Sequence, residues 1–85
     1  LKPIYAAVQG SHAVAQYLID HKCKKKFWRN EYLVFLKTDI NFWNNKLKEL
    51  QKDYSCFYEP DLKNKLTAIA VEDSGELFKN EQLLK

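Results

Sequence analysis

The stretch Ser55-Cys56-Phe57-Tyr58-Glu59-Pro60-Asp61-Leu62-Lys63-Asn64-Lys65-Leu66-Thr67-Ala68-Ile69-Ala70-Val71 decides the fold. It reads as strand, turn, strand. Ser55 to Tyr58 places two aromatics on a short run, which suits a pleated, half-buried surface. Pro60 fixes its own φ, lacks a backbone N–H and pushes Glu59 towards an extended conformation, so no helix passes through this point. Leu66 to Val71 is apolar at every position but Thr67, a run that fits a strand covered on both faces. Glu59 and Asp61 therefore stand at the mouth of a buried strand with one hydroxyl near its start. Glu-Pro-Asp is also the make-up of an ordinary surface turn. It gains interest from the helix that opens the chain.

Pro3 suits the first turn of a helix, where a missing N–H does no harm. From there to about Asp20 the pattern is helical. Ala7, Gly10, Val14, Tyr17 and Leu18 fall on one side, small and apolar, suited to packing on a sheet. Tyr5, Gln9, His12 and Gln16 form a narrow stripe on the opposite side, each three or four residues from the next. A polar stripe is ordinarily the wet face of a packed helix. This one carries a phenol, two amides and an imidazole, groups that make directed hydrogen bonds. The expectation is that the stripe faces away from the packing side, towards the rim where the Glu-Pro-Asp turn leaves the sheet.

His21 to Asn30 reads as a connecting loop. Lys22, Lys24, Lys25, Lys26 and Arg29 crowd five positive charges into it with no acid among them. The formal net charge is only +3, so the rest of the chain is slightly acidic. Such a cluster attracts phosphates or an anionic surface, or is simply a solvated lysine loop. Phe27 and Trp28 beside it suit base stacking, or equally an anchor for the next strand. Glu31 to Lys37 is a buried strand by composition. Thr38 or Asp39 caps a second helix, about 40–52, with Ile40, Trp43, Leu47 and Leu50 on one face and Phe42 off it. The last segment, from about Gly75 to Leu84, reads as a short helix with Leu77, Phe78 and Leu83.

The order helix, strand, helix, strand, strand, helix argues for one α/β domain, 1–85: a small three-layer sandwich of a mixed sheet with helices on both faces. Tyr32–Leu36, Cys56–Tyr58 and Leu66–Val71 are expected to share that sheet. A helix packed on a sheet with no strand before it points to a fourth strand upstream of Leu1. No apolar run approaches the ~20 residues of a membrane span, and two cysteines, Cys23 and Cys56, make reduced thiols in cytoplasm the default. No metal or cofactor is implied. His21 and Cys23 lack the further ligands of a zinc site, and two glycines are too few for a phosphate loop. Ser11 and His12 are adjacent on a helix and point ~100° apart, so they form no nucleophile–base pair.

In its blocks and their order the chain resembles the type 2 peptidyl-tRNA hydrolases, most closely their compact bacterial and phage-type relatives. Ala6-Ala7-Val8-Gln9-Gly10-Ser11-His12-Ala13 is similar to the motif of that family's first helix. Trp28-x-Asn30 with Leu33-Val34-x-Leu36 is similar to the second strand of its compact members. Phe57-x-Glu59-Pro60-Asp61-Leu62, Leu66-Thr67-Ala68-Ile69-Ala70 and Leu77-Phe78-Lys79 with Leu83-Leu84 follow in order. The resemblance implies a mixed four-stranded sheet, often a homodimer, and metal-free cleavage of the ester joining a peptide to the 3′ end of tRNA. It assigns Gln9 and His12 to the site helix, Thr67 to a strand facing the site, and Glu59 to the position of a catalytic aspartate. It departs where the family's catalytic lysine corresponds to Tyr5 and where a second threonine corresponds to Lys63. Ester hydrolysis needs a positioned water, a base and oxyanion donors. Glu59 or Asp61 serves as base, His12, Gln9 and the Tyr5 hydroxyl as orienters or donors, and Thr67 as the group that holds the carboxylate. The second reading is a non-catalytic module on the same fold, holding a nucleotide, a tRNA end or a protein in the same cleft.

Overall fold

The computed structural model describes residues 2–21 and 32–84. The chain is α/β, with two α-helices and two antiparallel two-stranded ladders among the described residues. Helix α1 runs Pro3–Asp20 and ends at His21, whose backbone N–H bonds to the Tyr17 carbonyl. Its inner face is small, with Ala13 fully buried. A Cβ at Gly10 would lie 2.8 Å from the Phe35 ring, so glycine lets that ring rest directly on the helix.

Strands β2 (Tyr54–Glu59) and β3 (Lys65–Val71) form a hairpin across the 3-10 turn Pro60–Leu62. Lys63 and Asn64 complete the turn at φ 58° and 59°, left-handed backbone that an L residue adopts at some cost. Alternate residues of β2 go to different helices. The Ser55 hydroxyl donates to Asp20 Oδ2 at 2.7 Å and Phe57 stacks on His12, both on α1. The Tyr54 hydroxyl donates to Asn44 Oδ1 at 2.8 Å, and Cys56 reaches the same amide, on helix α2 (Ile40–Glu49). Asp39 caps α2, its Oδ1 accepting from the N–H groups of Asn41 and Phe42 at 3.1 Å. Leu47 is fully buried.

The second ladder is short. Strand β1 (Leu36–Lys37) pairs antiparallel with β4 (Gln82–Leu83), and the Leu84 N–H to Phe35 carbonyl bond extends it by one rung. Glu81 fastens it: its carboxylate accepts from the Thr38 hydroxyl and the Trp43 indole N–H. Trp43 also packs on Phe78, ring centroids 4.5 Å apart.

Four expectations are corrected. The three strands do not share one sheet: Leu36–Lys37 belongs to a different ladder from the β2–β3 hairpin, and residues 32–35 are not strand. Among the described residues no strand lies between the ladders to join them, and backbone without a neighbour makes no ladder. The terminal helix over Gly75–Leu84 is replaced by one 3-10 turn, Glu76–Phe78, and by β4. Gly75 takes φ 101° and its N–H is held by Asp73, while Glu81 draws the chain out along β1. Helix α2 stops at Glu49 instead of 52, because Gln51 turns left-handed at φ 55°. That turn aims Lys52 at Asp73, a 2.8 Å ion pair. Nor is Leu66–Val71 covered on both faces: only Ala68 within it is buried.

Three carboxylates sit below the usual carboxyl range. At Asp73 burial pushes upward but is outweighed by the Lys52 hydrogen bond, the Gly75 and Leu77 N–H groups and the Lys52 charge. Asp20 is lowered by its bonds from Ser55 and Gln16, and Glu81 by those from Thr38 and Trp43. A carboxyl whose pKa is depressed in the fold stabilises fully above its unfolded value, near ~4, and loses that contribution as pH falls through the folded value. The urea midpoint is therefore expected to be flat from pH 7 to about 5.5 and to fall steadily below about pH 4. Asp73→Asn should lower the midpoint at pH 7 and shallow the acid fall; an unaltered acid fall would remove Asp73 from this account.

Candidate functional site

The seam between α1 and the β2–β3 ladder holds the polar groups. Phe57 pairs with Ala68 and Tyr58 with Leu66, so Thr67 is an extra residue in β3, a β-bulge. Bulges bend a strand and re-aim a side chain. Here the Thr67 hydroxyl donates to Gln9 Oε1 at 2.9 Å, with the Phe57 carbonyl a longer contact at 3.4 Å. Gln9 is buried, although it lies in the stripe expected to face away from the packing side. Of the stripe, Gln9 turns into the seam, His12 lies along its edge and Tyr5 stays outward. Burying an amide is tolerated because a partner meets it.

His12 lies one turn further along α1. Its ring stacks on Phe57, centroids 4.6 Å apart and planes 10° from parallel. The residue is exposed, so the imidazole rests on the Phe57 ring at the edge of the seam. Strand alternation puts Glu59 on the face of β2 that carries Phe57 and Ser55. Glu59 is half-buried, and its carbonyl accepts from the Asn64 N–H at 2.9 Å.

The structure thus joins Gln9 to Thr67 directly, seats His12 on Phe57 and sets Glu59 on the same strand face. Asp61 lies exposed in the 3-10 turn. Tyr5 is 59% exposed and adds no hydrogen bond to this patch. Lys22, Lys24, Lys25, Lys26 and Arg29 lie outside the described residues. Among the described residues no three His, Cys, Asp or Glu side chains converge to hold a metal, and no helix is long and apolar enough to cross a membrane.

Two contributors were not read from the sequence. Phe57 is the platform for His12, and nothing local distinguishes it from a core aromatic. Asp20 takes the Ser55 hydroxyl on one oxygen and the Gln16 amide, 2.7 Å away, on the other. The Gln16–Asp20 spacing of four residues was the available signal for half of that cluster. Ser55 is 3% exposed, so this arrangement pins the end of α1 to β2 and offers no accessible nucleophile. Cys56 is likewise a quiet group, its thiol pushed up by burial.

Compared with protein-family models, curated proteins and solved structures, the chain matches none. Thr67→Val should cost about 1–3 kcal/mol in urea unfolding, because it strands a buried amide oxygen with little change of shape. Adding Gln9→Met removes the stranded partner, so the double variant should lose clearly less than the two singles added together. Strict additivity would mean the hydroxyl and the amide do not act as a pair.

Proposed function

We propose that the chain is a peptidyl-tRNA hydrolase-like esterase that cleaves the ester between a peptide and the 3′ end of tRNA in the cytoplasm. The observation that carries this reading is the Thr67–Gln9 bond across the seam. It fixes a directed amide beside His12, on the strand face that also bears Glu59. In this scheme Glu59 takes a proton from water as the water oxygen bonds to the ester carbonyl carbon. The Gln9 amide and the His12 imidazole donate to the oxyanion that develops. The C–O bond to the ribose then breaks, and the proton held by Glu59 passes to the leaving 3′ oxygen. Thr67 acts as a positioning residue, since its hydroxyl is committed to the Gln9 oxygen and so turns the amide N–H groups outward.

Partners in this reading are tRNA and a second copy of the chain. The five basic residues between Lys22 and Arg29 supply attraction for the phosphate backbone. Ile4, Val8 and Ile19, exposed by 72%, 47% and 66% on one face of α1, offer an apolar surface for association. The alternative, a non-catalytic module that holds a nucleotide, a tRNA end or a protein, is favoured by the outward position of Tyr5, which leaves one fewer donor for an oxyanion.

Turnover of a peptidyl-tRNA substrate separates the two. For an enzyme, Glu59→Gln and His12→Ala should each lower the rate by about 10²–10⁴. For a binder, the wild type shows no turnover above buffer and the same changes alter affinity alone. Changing Lys24, Lys25 and Lys26 together to Ala should reduce the log–log salt slope of RNA binding by about 2–3. An unchanged slope would return the cluster to a solvated stretch.

A further inference from the structure

Two cavities meet β3, and their charges are opposite. The cleft between the two ladders holds about 700 Å³ and is lined mostly by apolar side chains. Leu33 and Val34 among them are 52% and 59% exposed. Its charged lining residues are Glu72 and Asp73, with no lysine, arginine or histidine among the described residues. Glu72 Oε1 is buried with no hydrogen-bond partner among the described residues, and Asp73 is paired with Lys52. Such a lining repels an anion.

The smaller cavity, about 390 Å³, lies at the Pro3 end of the seam, between Leu36–Thr38 and Lys65–Thr67. Its charged lining residues are Lys37 and Lys65, and no acid lines it among the described residues. Both lysines are exposed, and neither has an ion pair among the described residues. Lys65 stands opposite Glu59 in the ladder without one. Lys2 and Lys63, also exposed, adjoin the lining residues Pro3 and Leu62, and the first turn of α1 carries no acid. Against them stand Asp61 and Asp39, the latter committed to the cap of α2. Lysines gathered without counter-ions hold an anion as point charges, with no fixed geometry to satisfy.

We propose that this cavity seats the 3′-terminal nucleotide of a single-stranded RNA end, with its phosphate between Lys37 and Lys65 and its base on Ala6, Leu62 and Leu66. The inference takes its partner from the tRNA reading and adds where the end of that RNA lies. Thr67 makes the connection: it lines the cavity and donates to Gln9. Ala6 lies three residues, about 4.5 Å along the axis, before Gln9 on α1. A nucleotide seated here presents its 3′ oxygen at the Gln9–Thr67 pair while its phosphate stays with the lysines. The cavity falls in the range of small-molecule sites, about 300–1,000 Å³, and shares their make-up of apolar walls with few polar groups. The basic residues between Lys22 and Arg29 attract any phosphate along a strand. This cavity distinguishes its end.

The test measures binding to the full 85-residue chain of a short stem-loop RNA ending in single-stranded CCA, and of the same RNA without its last nucleotide, over a range of salt. The wild type should bind the complete RNA more tightly by about fivefold or more. Lys37→Ala combined with Lys65→Ala should abolish that preference and lower the log–log salt slope by about 1–1.5, at ~0.7 per single-strand phosphate. Arginine at both positions should keep the preference. Changing Lys24, Lys25 and Lys26 to Ala should weaken both RNAs alike. Equal binding of the two RNAs by the wild type, or a preference that survives the double alanine variant, would overturn the proposal. Inorganic phosphate that displaces the complete RNA as well as adenosine monophosphate does would make the cavity a general anion site and overturn it. Adenosine monophosphate that the complete RNA fails to displace would assign it to a free nucleotide, with the same result. Turnover without the preference defeats this proposal alone, whereas the preference without turnover defeats the esterase and leaves the seat standing.

Discussion

The contact between α1 and the β2–β3 ladder is what the rest of the structure depends on. Ala13 and Ala68 are both buried, and side chains that small let helix and ladder backbones approach closely. Close approach leaves little room for water, so every polar atom in the seam needs a protein partner. Two pairs answer that demand, Gln9 with Thr67 and Asp20 with Ser55. They lie towards opposite ends of the helix and set its rotation about its own axis. With the rotation set, His12 can land only on Phe57. The bulge at Thr67 matters for the same reason: without the extra residue, strand alternation would govern its direction.

How much of this was legible follows from which interactions are local. The hairpin could be read because Pro60 acts on its own backbone and on that of Glu59, whatever the rest of the chain does. The cap of α2 could be read because Asp39 bonds to N–H groups two and three residues away. The direction of the Tyr5–Gln16 stripe could not. Periodicity sorts residues by hydropathy, and Gln9 is buried for the sake of a hydroxyl 58 positions later. The end of the chain failed similarly. The segment from Gly75 to Leu84 reads as a short helix with Leu77, Phe78 and Leu83, but Glu81 is claimed by Thr38 and Trp43 from elsewhere in the chain. Residues 32–35 have strand composition, yet a strand exists only beside a partner.

The two halves of the molecule are joined unequally. Helix α1 lies along both strands of the hairpin, while α2 reaches it through the Asn44 amide, and the Lys52–Asp73 pair ties together the segments that follow α2 and β3. β1 and β4 are held to α2 by one carboxylate and one aromatic contact. Four buried apolar residues among those described, Ala13, Tyr17, Leu47 and Ala68, make a thin core for so many elements. A chain of this size normally buries about 60% of its unfolded surface. The apolar residues that would thicken the core are present, but they face the cleft.

That difference separates the two concave regions of the molecule. In the seam the buried polar groups are paired, and exposed polar groups such as His12 rest on apolar faces; such an arrangement is ready to hold a ligand without rebuilding itself. In the cleft the pattern is reversed. Among the described residues, apolar side chains stand open there, β1 pairs only with β4 and β3 only with β2, and one carboxylate oxygen has no donor. The difference between the two regions is thus one of pairing: polar groups matched across the seam, apolar side chains open to solvent in the cleft.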